Sequence, residues 1–77
     1  MQPTVIERIA TAVRVEAARR KLNQTDVGKI LGLSRFTMSR RMSGEQTFTV
    51  AELARLAESW DIPLSRLVPD EVTDGAA

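Results

Sequence analysis

The chain has 77 residues, 43% of them hydrophobic, which is enough for one domain with a modest core. It contains no Cys and no His, which excludes disulfides, thiolate nucleophiles, Cys-ligated metals and histidine general bases. No apolar run approaches the ~20 residues that cross a bilayer, and no signal-peptide pattern is visible. We therefore expect a small cytoplasmic protein that needs no cofactor and is not an enzyme.

The net charge of +1 hides an uneven distribution along the chain. Residues 14–45 carry eight basic and three acidic side chains, whereas the rest of the chain carries three basic and seven acidic ones. The positive side of such a dipole is a candidate surface for a polyanion. On charge alone, a solvated face of mixed charge is an equally good interpretation.

Two helices are predicted in the first half of the chain. The segment from Thr4 to Glu7 fits a capping box, so helix 1 starts near Thr4 and runs to about Lys21. Its apolar stripe consists of Ile6, Ile9, Ala10, Val13 and Ala17. Asn23 is the predicted N-cap of a short helix 2, which Gly32 ends because glycine supplies the positive φ of a tight turn. The apolar residues of helix 2 are Val27, Ile30 and Leu31.

The third predicted helix has few apolar residues. Ser34 can cap it, and it spans roughly residues 35–43 before Gly44 stops it. Only Met38 and Met42 stand at core spacing, so most of the helix faces water or a partner.

Two further helices are predicted before the chain ends in an acidic segment. A second capping box at Thr49 opens helix 4, whose apolar stripe is Val50, Leu53, Ala54, Ala57 and Trp60. A short helix 5 follows Pro63 and turns inward Leu64, Leu67 and Val68. Residues 69–77 are expected to form a flexible acidic tail.

Residues 24–41 combine a short helix, a glycine turn and a second helix with a polar, basic outer face. This combination is typical of a helix-turn-helix, in which the second helix presents its side chains to a DNA groove. The small residue Gly28 would allow the two helices to approach closely, and Gly32 would make the turn between them.

Several short segments extend this pattern over most of the chain. They are Leu22-Asn23-Gln24, Val27-Gly28, Gly32-Leu33-Ser34, Met38-Ser39 and Gly44, followed by Phe48-Thr49-Val50-Ala51-Glu52-Leu53 and Ile62-Pro63-Leu64-Ser65-Arg66-Leu67. In this order they resemble the Cro/CI-type (XRE-like) helix-turn-helix domains of small phage and bacterial repressors. The resemblance covers about residues 5–68. It implies a compact, all-α, five-helix, lambda-repressor-like DNA-binding domain with the helix-turn-helix at helices 2 and 3, flanked by a lead-in (1–4) and the tail (69–77).

The resemblance also implies which residues contact DNA. Helix 3 would be the recognition helix, with base contacts from Arg35, Phe36, Ser39 and Arg40. Phosphate contacts would come from Gln24, Asn23, Thr37, Arg41, Ser43 and Lys29. Two positions leave alternatives open. Phe36 is either a groove contact or a minor core residue. Arg41 stands where the family usually has an aliphatic residue, so it either swings toward a phosphate or packs its stem while its head reaches water.

These features predict a transcription regulator, such as a Cro-like or immunity repressor, that binds a double-stranded DNA operator by sequence. It would act as a homodimer through its helix 4–5 surface or N-terminal helix, as a dimer formed only on DNA, or as a monomer, without a membrane or a small-molecule ligand. The alternative hypothesis is an antitoxin-type interaction module whose acidic tail (Asp70, Glu71, Asp74) binds a basic partner and whose DNA binding is autoregulatory.

Overall fold

The computed structural model describes residues 4–68, which form four α-helices and one turn of 3-10 helix. The helices are α1 (Val5–Arg19), α2 (Gln24–Leu31), α3 (Arg35–Ser43) and α4 (Val50–Trp60), and the 3-10 turn is Leu64–Arg66. No strand occurs among these residues. The predicted all-α class is therefore confirmed for the described part of the chain, and the prediction of a fifth α-helix is wrong.

The fifth element is short because two prolines enclose it. Pro63 stands directly before it, and Pro69 in the sequence disfavours a helical conformation of the residue that precedes it. An α-helix of so few residues cannot offset its nucleation cost. The segment forms a single 3-10 turn instead, in which the N–H of Leu67 donates to the carbonyl of Leu64 at 2.9 Å.

Reciprocal side-chain caps fix where three of the helices begin. At α1 the Thr4 hydroxyl accepts from the N–H of Glu7 at 3.1 Å, and the Glu7 carboxylate accepts from the N–H of Thr4 at 2.8 Å. The same capping box occurs at α2, between Asn23 and Asp26, and at α4, between Thr49 and Glu52. A good N-cap contributes about 1 kcal/mol, so these starts are determined locally and agree with the prediction.

The helix ends agree with the prediction at both glycines but not at α1. Gly32 and Gly44 adopt left-handed φ values of 68° and 84°. α1 ends at Arg19, before the predicted Lys21, which itself has a φ of 58°. The N–H of Leu22 donates to the carbonyl of Ala17 at 2.9 Å, the bond of a Schellman motif that closes the helix early.

All four helices contribute to one buried core. Its members are Ile9, Val13, Ala17, Val27, Leu31, Met38, Met42, Phe48, Leu53, Leu56, Ala57, Trp60 and Leu67. Three predicted core residues prove to be exposed, namely Ile6, Val50 and Leu64, with Val50 73% exposed. Ile6 and Val50 lie in the first turn of their helices, where the apolar stripe continues beyond what the neighbouring elements cover. Leu56, which the prediction omitted, is completely buried.

The helix-turn-helix corner is packed closely, as the small residue predicted. A Cβ added to Gly28 would lie 2.8 Å from Cγ of Met38 and 3.4 Å from the carbonyl oxygen of Leu33. The buried Met38 therefore packs directly against the α2 backbone. α3 then begins at Ser34, whose hydroxyl accepts from the N–H of Thr37 at 3.2 Å.

A cluster of charged side chains around the buried Glu16 joins α1, α4 and the 3-10 turn, and it was not predicted from the sequence. We call it the Glu16 cluster; it comprises Glu16, Arg19, Arg20, Trp60 and Arg66. The nearly buried Glu16 carboxylate lies 3.0 Å from Arg20, 3.9 Å from Arg19 and 3.8 Å from Arg66. Arg20 also stacks on Trp60, with its Cζ 5.0 Å from the ring centroid, and donates to the Trp60 carbonyl at 3.3 Å. The buried Nε1 of Trp60 has no acceptor within residues 4–68.

Candidate nucleic-acid interface

The outer side of α3 brings together all four residues predicted to contact bases. We call this surface the α3 face and define it as Arg35, Phe36, Ser39, Arg40 and Ser43. At about 100° per residue these positions fall within an arc of roughly 140°. Arg40 is partly exposed and the other four are exposed. The two methionines that enter the core lie outside this arc, roughly 90° and 130° from its centre, so the α3 face itself is left uncovered.

Phe36 and Arg40 form one stacked unit on this face. Cζ of Arg40 lies 4.8 Å from the centroid of the Phe36 ring, the i,i+4 spacing placing both on adjacent turns. The ring is 68% exposed, which contradicts the interpretation of Phe36 as a minor core residue. Arg40 is also 3.5 Å from the exposed carboxylate of Glu45. An exposed pair of this kind contributes little energy, so the guanidinium can exchange that partner for another anion.

Arg35 is the cation of the α3 face that has the fewest constraints. It is the first residue of α3, it is exposed, and its side chain has no ion pair or hydrogen bond within the described residues. The first turn of α3 contains no acidic residue. The positive end of the helix dipole and the guanidinium therefore add to each other at this end of the face.

Helix α2 and its N-cap lie beside the start of α3 and supply three of the predicted phosphate contacts. A groove of about 450 Å³ is lined by Gln24, Thr25, Gly28, Lys29, Gly32, Leu33, Arg35 and Met38. The structure therefore brings Gln24 and Lys29 to the same groove as Arg35. Asn23 precedes them as the N-cap of α2. Its Oδ1 accepts from the N–H of Asp26 at 2.8 Å, which leaves its side-chain NH₂ free to donate.

Two other predicted phosphate contacts already have hydrogen bonds within the protein. The Thr37 hydroxyl lies 3.0 Å from the Ser34 hydroxyl. The Ser43 hydroxyl donates to the Arg40 carbonyl at 3.2 Å and accepts from the N–H of Glu45 at 3.3 Å. The Thr37 hydroxyl is bonded at the start of α3 and the Ser43 hydroxyl at its end. A phosphate contact to either hydroxyl would compete with these hydrogen bonds.

Arg41 is separated from the other predicted contacts. Its position on α3 is roughly 170° from the centre of the α3 face. Its Nε lies 3.1 Å from Glu52 Oε1 and its NH2 lies 3.3 Å from Glu52 Oε2, while its NH1 donates to Gln46 Oε1 at 2.8 Å. The side chains of Arg41 and Glu52 are each only 15% exposed. The aliphatic stem of Arg41 is therefore packed, as in the second of the two alternatives for this residue. Its guanidinium, however, binds a carboxylate of α4 rather than reaching water.

This pairing perturbs the acid-base behaviour of Glu52. Partial burial raises the pKa of Glu52, but hydrogen bonds from Arg41 and from the backbone of Thr49 lower it by more. The net pKa lies below the ordinary value of a glutamate. From the sequence Glu52 was predicted only as a capping residue, because nothing in an eleven-residue separation indicates that it meets Arg41.

Neither a metal site nor a membrane-spanning helix is found in the described part of the chain. Within residues 4–68, no three acidic, His or Cys side chains lie close enough together to hold a metal ion. Among the same residues, no helix has the length and apolar character needed to span a membrane.

Comparison with known proteins agrees with the helix-turn-helix geometry. A model of the BetR domain family matches residues 2–77, which is nearly the whole chain. No curated protein matches it. The chain belongs to the BetR domain family, and BetR domains are helix-turn-helix-like DNA-binding domains.

Proposed function

We propose that this protein is a sequence-specific transcription regulator of the Cro-like or immunity-repressor kind. In this proposal α3 enters the major groove of an operator and blocks access of polymerase or of a competing regulator. The observation that carries the proposal is the α3 face. It is an uncovered surface with two arginines and an exposed aromatic ring, on the second helix of a helix-turn-helix.

The residues of the α3 face have chemistries that suit base edges. Arg35 and Arg40 each present a planar fork that fits O6 and N7 of guanine, and one such bidentate pair is worth about 1–3 kcal/mol of discrimination. Phe36 suits the methyl group of thymine, and the hydroxyl of Ser39 suits either a donor or an acceptor. The stack of Arg40 on Phe36 limits the rotamers of both side chains before DNA arrives, which lowers the entropy cost of binding.

The groove beside Arg35 suits the sugar-phosphate backbone. Gln24 and Lys29 line it, and the N-terminus of α2 adds backbone N–H groups that point out of the helix. The side-chain NH₂ of Asn23 is a further donor at this point. Such contacts fix the register of α3 on the duplex without reading sequence, so we assign these three residues to positioning.

The experiment that tests this proposal is selection of duplexes from a random library at about 150 mM salt, followed by sequencing of the bound pool. We expect an enriched motif. A palindromic motif with half-sites about one helical turn apart means that two copies bind together, and a single half-site means a monomer. The proposal is wrong if no sequence is enriched and the remaining binding is weak and falls steeply with salt.

The antitoxin-type alternative depends on the acidic tail, which lies outside the described residues. Deletion of residues 69–77 tests it: if a basic protein partner is lost while DNA binding persists, the alternative gains support.

A further inference from the structure

The contact between Arg41 and Glu52 links the helix that carries the α3 face to the start of α4. Both oxygens of the carboxylate receive the guanidinium, Oε1 from Nε at 3.1 Å and Oε2 from NH2 at 3.3 Å. This geometry approaches the bidentate pairing in which arginine holds a carboxylate in one orientation. Because both side chains are mostly buried, water and salt screen the pair less than they screen an exposed one.

The same carboxylate also determines where α4 begins. Glu52 Oε1 accepts from the N–H of Thr49 at 2.9 Å, and the Thr49 hydroxyl accepts from the N–H of Glu52 at 3.1 Å. One side chain therefore closes the first turn of α4 and holds the last turns of α3. Gln46, in the connection between the two helices, adds a third contact to Arg41 at 2.8 Å.

We propose that Glu52 is a positioning residue for DNA recognition, which acts through Arg41 to fix the rotation of α3 against the domain. This inference rests on the proposed function. In the core α3 is held by Met38 and Met42, and near its end the carbonyl of Met42 accepts a hydrogen bond from the guanidinium of Arg14 on α1. These contacts tie α3 to α1 and α2, the two helices against which it mainly packs. The Arg41–Glu52 pair adds a tie to α4 on the side of α3 that points away from the α3 face, so its loss would allow α3 to rotate relative to α4 and would displace the α3 face.

The proposal gives Arg41 a role opposite to that of a phosphate contact, and the two roles predict opposite results for Glu52→Gln. If Arg41 positions α3, removal of the carboxylate weakens binding to the selected operator and has little effect on binding to a random duplex. If Arg41 instead reaches phosphate, the same variant frees a cation, tightens binding to both duplexes and makes the salt dependence steeper by about 0.9 in log K against log salt.

The test titrates Glu52→Gln, Arg41→Met and the double variant against the enriched operator and a random duplex. Glu58→Gln is the matched control, because it removes the same charge from an exposed position on the same helix. We expect each single variant to lose roughly 5–20-fold in the ratio of specific to non-specific affinity, and the double variant to lose no more than the worse single one, since coupled residues are not additive. Glu58→Gln should stay within about twofold of the wild type. Unchanged ratios, additive losses, or tighter binding by Glu52→Gln would overturn the proposal.

Backbone amide hydrogen exchange separates failure of this inference from failure of the proposed function. In Glu52→Gln we expect faster exchange in α3 and in the first turn of α4, with α1 unchanged, whereas Glu58→Gln should match the wild type. A wild type without sequence preference would refute the proposed function, and this exchange pattern would still show that Glu52 orders α3. Exchange in α3 that is the same in both variants would refute the positioning contact itself.

Discussion

The molecule contains two arginine–aromatic stacks with nearly the same geometry and opposite surroundings. Cζ of Arg20 lies 5.0 Å from the centroid of Trp60, and Cζ of Arg40 lies 4.8 Å from that of Phe36. Trp60 is 8% exposed, whereas Phe36 is 68% exposed. The stacking distance therefore does not distinguish a structural pair from one that could bind a ligand. The exposure of the ring and the neighbouring charges have to make that distinction.

The carboxylates around the two arginines differ in the same way. Arg20 faces the nearly buried Glu16 at 3.0 Å, while Arg40 faces the exposed Glu45 at 3.5 Å. A buried carboxylate cannot exchange its partner without a large desolvation penalty, but an exposed one is replaced easily by another anion. The first stack thus stabilises the fold, and the second can exchange its carboxylate for another anion, as the proposed contact with DNA requires.

The largest expected difference between the two stacks lies in their rings. Trp60→Ala should lower the free energy of unfolding by about 3–5 kcal/mol, because it leaves a large cavity in the core. Phe36→Ala should change it by no more than about 0.5 kcal/mol and should weaken operator binding instead. Urea denaturation followed by far-UV circular dichroism measures both, since the chain has only one Trp for fluorescence. Equal destabilisation by the two variants would contradict the comparison.

The carboxylates of Glu16 and Glu45 should also differ in how much they contribute to stability, by a smaller amount than the two rings do. Glu16→Gln leaves Arg19, Arg20 and Arg66 without their shared anion and should cost about 2–3 kcal/mol of stability, less than for a fully buried pair because Arg20 is partly exposed. Glu45→Gln should cost at most about 0.5 kcal/mol. Thermal or urea unfolding of the two variants provides the measurement. The distinction fails if Glu45→Gln is the more damaging substitution.

On the α3 face, the shape of the guanidinium should matter more than its charge. Arg35→Lys keeps the charge but loses the planar fork, so we expect a loss of about 1–3 kcal/mol in operator affinity, confined to one base pair of the motif. Binding to random duplex and the free energy of unfolding should be unchanged. Titration against operators with single base changes locates the position. A uniform loss over all duplexes would mean that Arg35 contacts phosphate.

The smallest expected effect is the dependence of stability on pH at the α3–α4 junction. The pKa of Glu52 in the folded protein lies below 4.5, the ordinary value of a glutamate, so its contribution to stability is present above about pH 4.5 and is lost as the pH falls through the folded pKa. The stability difference between wild type and Glu52→Gln should therefore narrow as the pH is lowered in that range. Urea denaturation at several pH values measures this narrowing, and a difference that is independent of pH would contradict the assigned pKa direction.

Local features of this fold could be predicted from the sequence, because the residues that determine them are close together in the chain. The N-caps at Thr4, Asn23 and Thr49 and the left-handed glycines at positions 32 and 44 all depend on neighbours within four residues. Periodicity predicted which side of α3 is buried, since its two methionines leave no other choice. It failed for Val50, because coverage of a helix end depends on how far other elements extend. Leu56 was missed although it stands at core spacing, three residues after Leu53 and four before Trp60.

The long-range charge pairs could not be predicted. Glu16 lies at the spacing of the apolar stripe of α1, three residues after Val13, so its burial could have been predicted, but its partner Arg66 comes from a distant segment. Arg41 and Glu52 meet only once α3 and α4 have been packed at a particular angle. The family resemblance indicated the α3 face, but it gave no indication that Arg41 is already engaged by Glu52.

The central claim is that the α3 face reads DNA, and one titration tests it most directly. Wild type, Arg35→Ala/Arg40→Ala and the control Arg19→Ala/Arg55→Ala are titrated against the selected operator at about 150 mM salt. The two double variants lose the same charge, from the α3 face in one and from exposed positions elsewhere in the other. We predict that the first loses at least about 30-fold in operator affinity and that the control changes by less than about threefold. Equal losses by the two variants would mean that binding follows net charge, and would contradict the assignment of α3 as the recognition helix.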